Sequence, residues 1–474
     1  MPDNTDKSAI KIVFADWLLT MNAPPQFKMS DEASSDSNSE KALTKHGIVF
    51  QGNVIVDIAP QTALKEKYPN IEVQDLGESL LMPGFINSHC HAAMNLLRGV
   101  NDNLSLNDWL NKVIFPLEKQ FVNNEFVYQG TQHAIAEMLR SGTTCFQDMY
   151  FMPDQAAQAV HEAGIRANIG LIVTENKTQW ANDAQEYINK GLSVRDQFKH
   201  QELIDFSFAP HALYSVTEQT MKKLIMLSNE LAINLQIHLH ECLPEISQSL
   251  KKYKHRPLEL AQKLGMLSPQ FNAFHMTQLI DEEIKQLALS GSHVIHCPQS
   301  NLKLASGICP ISQLTQAGVN VAIGTDGAAS NNDLDMLDEI QSAVWLSSKA
   351  IHDKFEDTNS ILEKRPPSFT AYQGLYAGTM GGAKALGISD KVGSLEVGKE
   401  ADFISIDLSG IETQPVYDPI SQVVYSSSRN QIKNVWVAGK QLLDDRKLTT
   451  INETLVIKNS KEWQKKISNY LEKT

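Results

Sequence analysis

Fourteen histidines are spread over 474 residues, and two of them, His89 and His91, end the stretch Leu-Met-Pro-Gly-Phe-Ile-Asn-Ser-His-Cys-His at 81–91. On a strand, residues two apart face the same side, so both imidazoles can reach one metal ion. About 0.4 such pairs arise by chance at this histidine content. His238 and His240 form a second pair, so spacing alone is weak evidence. More weight comes from the polar residues that end predicted strands: His89, His91, His211, His238, His275, His296 and Asp326. A catalytic zinc takes about three protein ligands, often histidine, and leaves a position open for water. His89, His91 and His238, with Asp326, supply three nitrogens and a carboxylate. Glu241, just past His238, is a candidate general acid/base. An ion held there would lower the pKa of a bound water toward neutrality. Each residue alone has a plainer explanation: a hydrogen-bonded strand-end histidine, a turn aspartate in Thr-Asp-Gly, a helix-start glutamate. His240 shares a face with His238 and reads either as a bystander or as a substrate contact. Cys242 and Cys297 have no second sulfur at ligand spacing and read as packing thiols.

The elements that must position these residues show in the hydrophobic pattern. Eight short apolar strands are predicted at 81–88, 143–148, 166–173, 204–210, 233–239, 271–275, 292–296 and 319–325. Helical patterns lie between most of them, clearest at 125–140, 154–163, 217–231, 256–264, 281–290 and 310–317. Ser215 and Glu218 have the spacing of a capping box for the third of these. Eight βα units over roughly 300 residues fit a (β/α)8 TIM barrel, and an open doubly wound sheet is the rival. Along 233–240, Ile233, Leu235, Ile237 and Leu239 share one face, while Gln236, His238 and His240 share the other. Ser207 and Ala209 align with His211 in the same way, and Ala322 and Gly324 with Asp326. A chemically useful residue therefore ends the less greasy face of three separate strands. Strand patterns also occupy residues 10–22 and 47–60, and return at 393–399, 401–406 and 433–437. These are expected to form a composite β-sandwich built from both chain ends. The resulting division is 1–81 for its N-terminal part, 82–386 for the barrel, and 387–474 for its C-terminal part plus a tail helix. Ser30–Lys45, rich in Ser, Asp and Glu, reads as a solvated loop, and Trp463, Ile467 and Leu471 share a helical face expected to dock on the sandwich.

Composition narrows the partners. A net charge of −13 argues against a nucleic-acid or anionic-membrane surface. No uninterrupted apolar stretch reaches spanning length, and no signal peptide is expected from a start carrying Asp3, Asp6 and Lys7. The five cysteines include no C-x-x-C and read as reduced thiols of a cytoplasmic protein.

The motifs Pro-Gly-Phe-Ile-Asn-Ser-His-Cys-His, His-Leu-His-Glu at 238–241, His275, His-Cys-Pro-Gln-Ser-Asn at 296–301 and Gly-Thr-Asp-Gly-Ala-Ala-Ser-Asn-Asn at 324–332 resemble the amidohydrolase superfamily. Within it they are most similar to the 5-methylthioadenosine/S-adenosylhomocysteine deaminases and their triazine-hydrolase relatives. The resemblance spans nearly the whole chain, including Gly393–Asp402. It implies a barrel, a composite β-sandwich and one divalent metal ion, Zn2+ or Fe2+, on His89, His91, His238 and Asp326. It implies Glu241 as proton shuttle, His275 as polariser, and Glu118 and His211 as substrate contacts. Arg166 is the expected counterpart of an arginine that holds an amino-acid carboxylate. The implied reaction is hydrolytic attack on the amine-bearing carbon of a purine nucleoside. Asp326 takes the water proton, Glu241 protonates the adjacent ring nitrogen, and a homo-oligomer is expected. The alternatives are guanine deamination, triazine chloro- or aminohydrolysis, and a non-catalytic scaffold that should have lost its ligands.

Overall fold

The structure, a computed structural model, describes residues 9–25, 40–355 and 369–473. Most of the acidic 30–45 stretch lies outside them. Residues up to 86, 138–144 and 336–449 form one unit; 87–137, 145–335 and 450–474 form the other.

Eight parallel strands follow one another in chain order: β1 (Phe85–Cys90), β2 (Thr143–Asp148), β3 (Arg166–Val173), β4 (Ile204–Pro210), β5 (Leu235–Leu239), β6 (Phe271–His275), β7 (His293–His296) and β8 (Asn320–Ile323). They read as apolar runs because a parallel sheet is covered on both faces. Helices connect them, and each crossover returns the chain to the same end. The end of β8 meets β1. Asp326 donates its N–H to the His89 carbonyl at 3.0 Å, and Thr325 and the Asn87 side chain exchange two bonds of 2.8 and 3.0 Å. The barrel is thereby nearly closed. Its interior carries a polar layer: the Gln236 amide donates to Ser207 Oγ at 2.6 Å, and that hydroxyl donates to Asn168 Oδ1 at 2.5 Å. This accounts for the less greasy strand faces, since buried polar groups must pair with one another.

In the other unit, a four-stranded sheet orders Val54–Pro60, His46–Gln51, Ile10–Phe14 and Val73–Asp75. A seven-stranded sheet pairs Phe403–Asp407 antiparallel with Ser79–Pro83 on one side and Ile432–Val437 on the other. Strands from both chain regions thus share one sheet. Phe50, Phe403 and Trp436 anchor the core, with Phe403 stacked on Trp436 at 4.4 Å.

Several expectations need correction. Gly393–Lys399 is a turn rather than a strand, tied by two backbone bonds between Ile55 and the 398–399 peptides, each 2.8 Å. The helix after β4 is capped by Thr217, which accepts from Thr220, while Ser215 bonds back to Ala212. The sequence runs the barrel to 386, but Met336–Thr449 belongs to the unit with the two extra sheets. The tail helix Glu453–Leu471 packs on the barrel unit instead of the sandwich. Trp463 meets the Phe126 ring edge-on at 5.2 Å and donates to Gln129 at 2.8 Å.

Gly324 is where closure is most exacting. A Cβ there would sit 2.7 Å from the His89 nitrogen and 2.8 Å from its carbonyl oxygen. Backbone, not a flexible side chain, is in the way. Gly324→Ala should therefore lower the thermal midpoint and the bound-metal content together, because the displaced residue is His89. Thermal unfolding with metal analysis checks this; an unchanged midpoint with full metal would contradict it.

Candidate active site

The C-terminal strand ends converge on a buried cluster. Nitrogen and carboxylate atoms of His89, His91 and Asp326 lie within 4.8 Å of one another, and so do nitrogens of His89, His238 and His275. Asp326 Oδ1 is 3.5 Å from His89 Nε2 and 3.2 Å from His91 Nε2. The backbone turns that aim these side chains are left-handed: φ is +70° at His275, +59° at Asp326 and +54° at His240. Non-glycine residues hold that conformation where the surroundings impose it, and such residues gather at functional sites.

Neighbouring groups orient each member. His91 Nδ1 donates to the Met149 carbonyl at 2.6 Å, and His238 Nδ1 to the His211 carbonyl at 2.8 Å. In both rings Nε2 is left as the inward atom. His275 Nδ1 donates to Asn301 Oδ1 at 2.9 Å. Asp326 Oδ2 accepts from Ser300 and Ser330 at 2.6 and 2.8 Å, while Oδ1 accepts from the Gly327 amide at 2.8 Å. His89 stacks on Phe274 at 3.8 Å. Its two ring nitrogens are buried and have no hydrogen-bond partner among the described residues. Burial holds His89 neutral, its pKa down to about 3, and burial then the nearby His211 hold His238 well below the ordinary range. Burial works against ionisation of Asp326, but its contacts with His89 and His91 hold its pKa well below the usual carboxylate range. Burial works to lower His91, but its contact with Asp326 raises it to about 9; a divalent ion would displace that proton, and His91 with the neutral His89 and His238 and the ionised carboxylate is then the donor set of such an ion. The residues fit.

The cluster forms the floor of a concave cavity of about 100 Å³. His91, His211, His238, Glu241, His275 and Asp326 line it. Burial raises the pKa of the Glu241 carboxyl. Glu118 reaches the cavity from the helix Phe115–Phe121 and accepts from the Tyr150 hydroxyl at 2.9 Å. Burial pushes Glu118 up to about 7, against that bond.

Residues 80–442 match the amidohydrolase family. The chain belongs to this family. It is 45% identical over 413 residues to a 5-methylthioadenosine/S-adenosylhomocysteine deaminase of Teredinibacter turnerae, covering 87% of this chain and 91% of the relative. It is 37% identical over 432 residues to a 5'-deoxyadenosine deaminase of Methanopyrus kandleri, covering 89% and 96%. Among solved structures, an adenosine deaminase from Xanthomonas campestris with bound zinc superposes with a TM-score of 0.87 at 37% identity, covering 97% of this chain and 98% of that one.

As an amidohydrolase, the chain brings together eight of the nine residues expected from its sequence; the exception is Arg166. That residue opens β3, paired with Cys145, whereas Ile172 near the other end of the strand lines the cavity. Six residues of strand separate the two by roughly 20 Å. The pattern search saw an arginine beside a strand but not which end of it faces the site. His240 is a tether: its Nε2 accepts from the Leu258 amide at 2.9 Å, and Nδ1 donates to the Gln278 carbonyl at 3.2 Å. His296 is buried and does not line the cavity. Tyr150, Ser300, Asn301 and Ser330 were missed as site residues, although the last three lie inside motifs already singled out. None of the described helices is long and apolar enough to cross a membrane.

Metal analysis of the purified protein should give about one equivalent per chain, falling to near zero in His89→Ala. Two equivalents, or full loading without His89, would contradict the ligand set.

Proposed function

We propose that this amidohydrolase is a metal-dependent hydrolytic deaminase of adenine nucleosides, releasing ammonia and leaving the inosine analogue. The observation that carries this reading is one cavity with the metal-ligand cluster and Glu241 on its floor and the carboxylate of Glu118 on its wall. A divalent ion, zinc in this reading, held by His89, His91, His238 and Asp326 would supply Lewis acidity and a water acidic enough to react near neutral pH.

The chain's own groups do the rest. Asp326, ionised through its surroundings, accepts the proton of the attacking water. Glu241, made a better proton holder by burial, delivers a proton to the ring nitrogen beside the amine-bearing carbon and then assists the departing ammonia. His275, oriented by its Nδ1–H bond to Asn301, turns Nε2 toward the attacking water and polarises it by accepting a hydrogen bond. Glu118 accepts from both ribose hydroxyls, and His211 contacts the substrate from the end of β4. A guanine or triazine substrate would give Glu118 no diol to bind, which favours the nucleoside.

The cavity also bears on the 5'-substituent. Leu106, Trp109, Leu110, Ile114 and Phe115 make one wall apolar, and among the described residues no lysine or arginine lines the cavity. Burying a methylthio group contributes about 0.8 kcal/mol per carbon. Burying the carboxylate of a homocysteine moiety without a partner costs several kcal/mol. Exclusion of charge therefore dominates, and 5-methylthioadenosine is favoured over S-adenosylhomocysteine.

Glu241→Gln keeps the shape of the side chain but removes its proton acceptor, so turnover should fall ~10²–10⁴-fold with metal retained. Near-normal turnover would move the proton transfer elsewhere. For Glu118, which burial raises to about 7, hydrogen bonds to the ionised form are worth roughly 1.5–3 kcal/mol each. Losing two should lower kcat/KM by more than ~100-fold. Comparing wild type with Glu118→Gln on 5-methylthioadenosine and on its 2',3'-dideoxy analogue isolates that loss. The substitution should hurt the first substrate far more than the second; equal losses would refute diol reading and favour a free base or triazine.

A further inference from the structure

The reading above leaves unexplained how Glu241 is held. It lies in the three-residue turn between β5, which ends at Leu239, and the helix Leu243–Tyr253. The turn begins with His240 in a left-handed conformation, φ +54°. Such a turn is not self-supporting for a residue with a side chain, so neighbouring groups must fix it. His240 is fixed from one side by the bonds of its ring to Leu258 and Gln278, and its carbonyl accepts the Thr277 and Gln278 amides at 2.9 and 3.2 Å. The peptide of Glu241 is held at two points. Its carbonyl accepts from Thr277 Oγ1 at 2.7 Å, and its N–H donates to Glu245 Oε2 at 2.7 Å. The other oxygen of Glu245, Oε1, accepts the His240 N–H at 3.1 Å.

We propose that Glu245 is a positioning residue for Glu241, its buried carboxylate clamping two successive amides of the turn from which Glu241 enters the cavity. Glu245 is the third residue of its helix and is only 9% exposed. A glutamate at that position ordinarily reaches back to the cap residue's N–H. Here each oxygen also takes an amide further upstream, one from Glu241 and one from His240. The carboxylate is therefore spent on the segment carrying the proton-transfer group. Both oxygens of a carboxyl group can accept, in the ionised form and also, with the O–H turned away, in the neutral form that burial favours by raising Glu245 to about 8; a carboxamide has one acceptor and one donor. Cutting the clamp leaves a buried amide unpaired and frees the turn to relax. A displacement of about 1 Å at a reacting group costs on the order of 10²-fold in rate.

The inference rests on Glu241 transferring the proton, and the experiment separates the two. Metal-loaded wild type, Glu245→Gln, Glu241→Gln and the double variant are compared for kcat, KM and metal content on 5-methylthioadenosine. Glu245→Gln should lower kcat about 10–100-fold with KM within about 3-fold of wild type and metal unchanged. In the Glu241→Gln background the same change should cost less than about 3-fold, because the group being positioned is already inactive. Thr277→Val, which cuts the other tether of the Glu241 peptide, should give the same kcat-only loss and the same masking. It serves as the test if Glu245→Gln fails to fold. Equal losses in both backgrounds, a rise in KM at constant kcat, or full activity would overturn the positioning role. If Glu241→Gln itself turns over normally, the proton-transfer reading fails whatever Glu245 does.

Discussion

A buried imidazole with neither nitrogen hydrogen-bonded among the described residues is the constraint around which the site is arranged. Leaving a buried polar group unsatisfied costs about 1–3 kcal/mol, and His89 carries two such atoms at the centre of the barrel mouth. The Phe274 ring stacked on it offers no hydrogen bond. A cation that takes a lone pair relieves one of these atoms, and the nearby Asp326 carboxylate offsets the cation's charge. His89 cannot withdraw from this position. Its backbone is the seam where β8 meets β1, with Gly324 leaving no space for adjustment. Closure of the barrel and preparation of the metal site are thus one event.

The groups around His89 divide the remaining work. Backbone carbonyls of Met149 and His211 choose the tautomers of His91 and His238, and two serines and an amide anchor Asp326 while leaving a lone pair on Oδ1. None of these groups reacts, yet they fix which atoms point inward, and geometry of this kind is what preorganised catalysis depends on. Further out, the cavity wall separates two tasks. Glu118, held by Tyr150, offers a carboxyl acceptor, and the apolar side chains of Leu106, Trp109, Leu110, Ile114 and Phe115 offer nothing to a charged substituent. Under the proposed function, one cavity then selects for a nucleoside and against an amino-acid tail.

Much of this was legible in the sequence because the barrel states its pattern locally. The strands at 143–148, 166–173, 204–210 and 271–275 begin and end where their apolar runs do, since turns cut off short buried strands sharply. His89, His91, His238, His275 and Asp326 were visible because polar residues at the ends of such runs have no packing reason to be there. What stayed hidden depends on three-dimensional direction. Arg166 stands next to a strand as His211 does, but at its start, and the two strand ends are chemically opposite in this fold. Glu245 and Tyr150 look like an ordinary helix glutamate and an ordinary core aromatic until their partners are known. The tail helix shows an apolar stripe, but a stripe does not say which surface it covers. Thr217 displaced Ser215 as cap because Ser215 was already engaged with Ala212 and His211.

The most direct test of the account is a side-by-side measurement of kcat/KM for one metal-loaded preparation. Ammonia release is followed from 5-methylthioadenosine, adenosine, S-adenosylhomocysteine and guanine, and chloride release from a chlorotriazine. The account predicts that 5-methylthioadenosine is the best substrate. S-adenosylhomocysteine should be slower by ~100-fold or more, equivalent to about 2.7 kcal/mol, and guanine and the triazine should be near background. Faster turnover of guanine or the triazine than of any adenine nucleoside would contradict it.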